Sequence, residues 1–180
     1  NDTGFVFCST ILSITKKEAK IRVTQVLKGK DETLILVTLM PSLIKKDKLE
    51  WVVEKGTELG VASFSPLISK HAEKKGLNQE RLKIIAKEAT EQCGRSFVPQ
   101  INEPQTLREL LVSSRVSLIV FDGSGEMFKV KEVQEKYKGK GLGILIGPEG
   151  GWSDEERLLF REKKIPVYSR IFVYWIILVR

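Results

Sequence analysis

The stretch from Gly143 to Glu156, Gly-Ile-Leu-Ile-Gly-Pro-Glu-Gly-Gly-Trp-Ser-Asp-Glu-Glu, constrains this chain more than any other. It opens as an unbroken apolar run, the pattern of a strand buried on both faces of a parallel sheet. It ends as a helix start. Ser153 with Glu156 three residues on makes a capping box, and Asp154, Glu155 and Glu156 put negative charge on the positive end of the helix dipole. Between strand and helix lie Gly147, Pro148, Glu149, Gly150 and Gly151, a turn whose backbone has few side chains to keep a ligand away. Small molecules bind open α/β sheets at such carboxyl ends of buried strands. The same spacing also serves a tight strand-to-helix turn that binds nothing.

Two phosphate loops can be tested against this turn, and both fail. No Gly-Lys-Ser or Gly-Lys-Thr follows it, so nothing there would hold a triphosphate and its magnesium. Gly141 and Gly143 make a G-x-G, but they precede the apolar run instead of following it, which is the wrong place for a dinucleotide fingerprint. The carboxylates of the helix start already occupy the site a phosphate would take. A neutral or cationic ligand fits the turn better, and no metal is implied.

The remaining chain has to supply a sheet for this strand. With 180 residues, 42% hydrophobic and 29% charged, there is room for one good core, or one domain plus part of another. The chain opens at Asn1 rather than Met and reads as a piece of a longer protein. Phe5 to Ile14 and Ala19 to Val26 read as strand, turn, strand with one wet face, the tail of a small β-domain. Lys28 to Glu32 reads as a polar linker. From Thr33 strands and helices alternate: strand 34–40 broken by Pro41, a helix capped by Asp47 and Glu50 and stopped at Gly60, strand 61–68 interrupted by Pro66, and a long helix from Asn78 to Gly94. Thr106 and Glu109 cap a short helix, strand 116–121 opens onto Asp122-Gly123-Ser124-Gly125, helix 128–137 follows, and Ile165 to Tyr168 gives a last short strand. Five strands joined by helices require an α/β fold, a mostly parallel sheet covered on both faces.

Thirty Lys and Arg against 23 Asp and Glu give a net charge of +7, a lean towards a polyanionic partner. Lys45, Lys46, Lys70, Lys74 and Lys75 are the phosphate-contact candidates, although loop lysines are ordinarily just solvated. Cys8 and Cys93, two and far apart, fit a reduced cytoplasmic compartment. No apolar run approaches the roughly 20 residues that cross a bilayer, so no membrane partner is expected.

Three motifs carry a resemblance. Glu54-Lys55-Gly56-Thr57-Glu58-Leu59-Gly60-Val61, then Lys87-Glu88-Ala89-Thr90-Glu91-Gln92-Cys93-Gly94-Arg95, then Leu145 to Ser153 resemble the RsmE family over residues 33–167 in unbroken order. These are S-adenosylmethionine-dependent uridine methyltransferases of small-subunit ribosomal RNA, in the SPOUT or α/β-knot superfamily. The resemblance implies a C-terminal trefoil knot within a domain over 33–180, a bent cofactor held by the knotted loops, a homodimer, and residues 1–30 as the remnant of a PUA-like β-barrel. It implies that Leu145, Ile146, Gly147, Pro148, Glu149, Gly150 and Gly151 line S-adenosylmethionine, with Asp122 and Gly123 near it and Arg170 in the closing turn. Arg95 is the catalytic candidate, since a guanidinium can grip a phosphate or a base carbonyl bidentately. Without the motif it is a surface arginine at a helix end.

His71, the single histidine, falls in Lys70-His71-Ala72, where the family has an acidic-arginine-serine triplet, and is read as a loop residue. The chain also departs at 169–180, where only Arg170-Ile171 matches the family's closing motif. Two other readings stay open: a knotted RNA-binding protein without catalysis, and an unrelated α/β enzyme that binds a nucleotide.

Overall fold

The computed structural model describes residues 4–29, 35–72 and 77–169. β1 (Phe5–Ile14) and β2 (Ala19–Lys28) form an antiparallel hairpin. Its side chains are exposed on both faces, not on one, and its base, at Gly4 and Gly29, stands against Phe97 and Ser96.

The alternating part follows. β3 (Leu36–Pro41) leads into α1 (Lys46–Glu58), then β4 (Ser63–Phe64), β5 (Leu67–Ile68) and α2 (Gln79–Cys93). β6 (Gln100–Ile101), β7 (Gln105–Thr106), α3 (Leu107–Ser113), β8 (Ser117–Glu126), α4 (Val130–Tyr137), β9 (Gly141–Ile146), α5 (Asp154–Glu162) and β10 (Val167–Tyr168) complete the order. Six of these strands make one sheet in the order β10-β8-β9-β3-β4-β6, parallel at every pairing, while β5 and β7 pair separately.

Alternation along the central strands divides the core into two layers. Leu39, Ile119, Phe121, Leu142 and Ile144 face a cluster completed by Leu49 and Val53 of α1, Leu82 and Ile85 of α2 and Val133 of α4. Met40, Val120 and Leu145 face the opposite cluster with Leu107 and Leu110 of α3 and Phe160 of α5. Helices therefore cover both faces, as an all-parallel sheet requires.

Four local expectations need correction. Asp47 does not cap α1: Lys45 holds the cap position, no side chain accepts there, and Asp47 sits in the first turn. The 61–68 strand is two, β4 and β5, because Pro66 between them cannot donate to a ladder. Gly141 and Gly143 lie inside β9, where a Cβ on Gly143 would stand 2.6 Å from Leu118 and 2.9 Å from Met40. β8 runs on through Asp122 to Glu126 instead of stopping at Phe121. The capping boxes at Thr106/Glu109 and Ser153/Glu156, and the left-handed Gly94 after α2, are as the sequence indicates.

Candidate functional site

β9 ends at Ile146, level in register with Pro41 at the end of β3 and with Phe121 of β8, so the glycine turn starts beside both neighbouring strands. Ser42 N–H donates to the Ile146 carbonyl at 2.8 Å, and Gly151 N–H closes the turn on the Pro148 carbonyl at 2.9 Å. Gly151 has φ +76°, the left-handed region that a side chain resists. Trp152 pins the turn from behind: its Nε1–H donates to the Phe121 carbonyl at 3.1 Å and its ring meets Phe160 edge-on at 5.1 Å. Gly147 leaves room for that indole, since a Cβ there would lie 2.9 Å from Nε1.

The start of α5 is tied to a second loop. Glu156 accepts the Ser153 N–H at 2.8 Å through one carboxylate oxygen and the Lys70 N–H at 3.0 Å through the other. Lys70 Nζ donates to Glu155 at 2.9 Å and holds that carboxyl down at about 2. His71 Nδ1 stands 3.2 Å from the Gly151 carbonyl oxygen, and a Cβ on Gly150 would lie 3.5 Å from His71 Cβ. Loop 69–72 thus lies against the turn, which makes His71 more than the loop residue read from sequence. The contact spans 80 positions, beyond the reach of any periodicity.

Asp122, inside β8 and one residue past the Phe121 partner of Ile146, is buried beside Arg157 of α5. Arg157 Nε donates to Oδ2 at 3.0 Å, and the Ser124 hydroxyl donates to the same oxygen at 2.6 Å. Burial pushes the Asp122 carboxyl up, but the Arg157, Ser124 and Gly123 hydrogen bonds outweigh it and leave it below the usual carboxylate value. Gly123 next to it is bare, with nothing within 4 Å of where a Cβ would stand. β10 pairs Val167 with Val120 and Tyr168 with Glu126, so residues 121–125 loop out between two consecutive partners. A cavity of about 400 Å³ opens there, lined by Asp122, Ser124, Arg157, Arg161 and Tyr168 among others.

The other candidates divide by position. Lys45 and Lys46 sit at the start of α1, on the sheet edge that carries the turn, and Lys48 two positions further pairs with Glu149. Lys70 reaches the turn region but spends its charge on Glu155. Arg95 does not join them. Its Nη1 donates to the carbonyls of Thr57 and Val61 at 2.9 Å each, at the far end of α1, which spans about 20 Å over its 13 residues. Two of the three sequence motifs therefore meet each other there, away from the glycine turn. Lys74, Lys75 and Arg170 lie outside the described residues. Among the described residues no group of His, Cys, Asp or Glu has the arrangement of a metal site, and no helix is long and apolar enough to cross a membrane.

The RNA methyltransferase domain family matches residues 31–169. The chain is 30% identical to the ribosomal RNA small subunit methyltransferase E of Rickettsia conorii, covering 91% of this chain and 67% of that protein. It is 32% identical to the Bacillus subtilis protein of the same name, covering 85% of this chain and 65% of the relative. Against relatives of this kind the chain spans about two thirds of their length. Among solved structures, a putative methyltransferase of Legionella pneumophila in complex with S-adenosylmethionine superposes with a TM-score of 0.81 at 26% identity, covering 94% of this chain and 72% of that one. The Neisseria gonorrhoeae small subunit methyltransferase E shares the fold, with a TM-score of 0.83 at 22% identity over 93% of this chain and 71% of that one. The glycine turn at the end of β9 and the family match over residues 31–169 lead to one conclusion: the chain belongs to the RNA methyltransferase domain family, in its RsmE branch.

Proposed function

We propose that this chain takes part in S-adenosylmethionine-dependent methylation of small-subunit ribosomal RNA, at a uridine ring nitrogen. The observation that carries the reading is the bare backbone at Gly150 and Gly123, beside strand ends whose helix dipole is already capped by Glu156. That combination suits a cationic sulfonium and disfavours a phosphate. The fit with the residues present is good: Leu145 to Gly151 and the Asp122-Gly123 step would hold the donor, with Arg170 of the closing turn as a further proposed contact.

Bound there, the donor would supply an activated methyl group. The chain's own part is positioning. Trp152 and the Ser42 amide fix the two ends of the turn, and the Arg157–Asp122 pair keeps the β8 loop from collapsing onto it. A uridine imide nitrogen is a poor nucleophile until deprotonated, so stabilisation of developing negative charge is also needed. Arg95 is the proposed group for that role. It stands at the opposite end of its own sheet, so it would act from the second chain of a homodimer. Lys45, Lys46, Lys70, Lys74 and Lys75 are the proposed phosphate contacts. A C-terminal knot in a domain spanning 33–180, a PUA-like remnant over residues 1–30 and a cytoplasmic location complete the proposal. The looped-out residues 121–125 support the knot, and the exposed hairpin supports the remnant.

The experiment is methyl transfer from labelled donor to unmodified small ribosomal subunits and their naked RNA, with the product nucleoside identified by mass spectrometry. N3-methyluridine in the small-subunit RNA supports the reading. RNA binding with no binding of S-adenosylhomocysteine and no methyl transfer, or calorimetric binding of ATP or NAD in its place, overturns it.

A further inference from the structure

Loop 69–72 meets the glycine turn through consecutive residues. The Lys70 amide is held by Glu156 at 3.0 Å, its ammonium by Glu155 at 2.9 Å, and His71 Nδ1 faces the Gly151 carbonyl oxygen at 3.2 Å. Ala72 N–H folds the loop back on the Ser69 carbonyl at 3.1 Å. The first two contacts fix where the loop runs, and the third decides what it does to the turn. A carbonyl oxygen only accepts, so Nδ1 must carry the hydrogen, and the neutral ring keeps Nε2 as its acceptor. The bonded carbonyl belongs to Gly151, whose φ of +76° is a left-handed conformation that glycine adopts freely and a side chain would resist. The same side chain also stands beside Gly150: its Cβ, Cγ and Nδ1 lie 3.5–3.8 Å from where a Cβ at 150 would be. His71 therefore borders one side of Gly150 at ordinary van der Waals distance.

We infer that His71 is a positioning residue of this site, holding the Gly151 carbonyl through Nδ1–H and walling one side of Gly150, so that the turn is preformed before a neutral or cationic ligand arrives. The inference rests on the reading of the turn as the methyl-donor site. A preformed turn does not pay its ordering cost on binding, so loss of the hydrogen bond appears as lost affinity.

The chain holds a single histidine, so imidazole ¹⁵N correlation spectra of the uniformly labelled full chain report on His71 alone. Without ligand, a fixed Nδ1–H tautomer of the neutral ring is expected; an Nε2–H tautomer, or a mixture of the two, overturns the assignment. S-adenosylhomocysteine titrated into the same chain is expected to bind about tenfold more weakly to His71→Ala and His71→Phe. His71→Asn, whose amide N–H reaches the place of Nδ1, should stay within about threefold of the parent. Unchanged affinity in His71→Ala, or equal losses in His71→Asn and His71→Ala, overturns the positioning role. A parent chain that binds no S-adenosylhomocysteine overturns the donor site itself, and with it the ligand half of this inference, whereas the tautomer result decides the contact alone.

Discussion

Gly147 and Gly150 are three residues apart in one turn, yet adding a methyl group to each should have opposite consequences. At Gly147 the new Cβ would stand 2.9, 3.0 and 3.2 Å from Nε1, Cε2 and Cδ1 of Trp152. The indole cannot retreat: it is 2% exposed, packed edge-on against Phe160 and bonded to the Phe121 carbonyl. Overpacking of this kind costs about 1–3 kcal/mol. If the ring tilts far enough to release Phe121, a buried carbonyl loses its partner and the cost moves to the upper end of that range. For a chain of this length about 2 kcal/mol corresponds to a fall in Tm of roughly 4–8 °C. At Gly150 the Cβ would meet only His71, at an ordinary 3.5 Å, so Gly150→Ala should melt within a degree or two of the parent. The assay is thermal unfolding followed by far-ultraviolet circular dichroism, with near-ultraviolet spectra reporting the Trp152 environment. Equal melting of Gly147→Ala and the parent would refute the claim that Trp152 and Gly147 are packed against each other.

Other expectations follow from the same packing. Gly125→Ala should destabilise by at least about 2 kcal/mol in urea titration, because its Cβ would run into Tyr168 backbone atoms at 2.6 Å and backbone cannot step aside; parent-like stability would show that β8 and β10 do not cross there. Asp122 has its folded-state carboxyl held below the ordinary value of about 4, so its contribution is full above that pH and is lost as pH falls through the folded value. Asp122→Asn should therefore lower stability at neutral pH and flatten the acid limb of a stability–pH curve, and an unchanged acid limb would contradict the pairing with Arg157. In salt titrations of RNA binding, Lys45→Gln and Lys46→Gln should each reduce the slope by about one unit, and an unchanged slope removes that lysine from the interface.

The turn and its helix were legible because their determinants are local. Ser153 and Glu156 cap each other within one helical turn, and the apolar run of β9 needs only its own residues to read as a buried strand. The boundaries that went astray were set by distant partners. Nothing near Asp47 shows that Lys45 takes the cap position, and Pro66 splits a strand whose halves join separate sheets, β4 with β3 and β6, β5 with β7. The site shows the same division. Gly147, Gly150 and Gly151 share one turn because they are neighbours in sequence, whereas the partners that shape the turn and Asp122 arrive from elsewhere in the chain. Arg157 reaches Asp122 across 35 positions and His71 reaches Gly151 across 80. Arg95 also has partners that its neighbours in sequence do not reveal: it donates to the carbonyls of Thr57 and Val61 at the end of α1. Gly56, in the motif with Thr57, is explained by packing, since a Cβ there would lie 2.7 Å from the Phe64 ring.

Calorimetric titration of S-adenosylhomocysteine into the full chain and into Gly150→Val reaches the centre of the matter. Saturable binding by the parent, lost in a Gly150→Val variant that still unfolds cooperatively near the parent's Tm, is the outcome required if the donor lies against bare backbone. Parent-like affinity in Gly150→Val, or no binding by the parent at all, would contradict it.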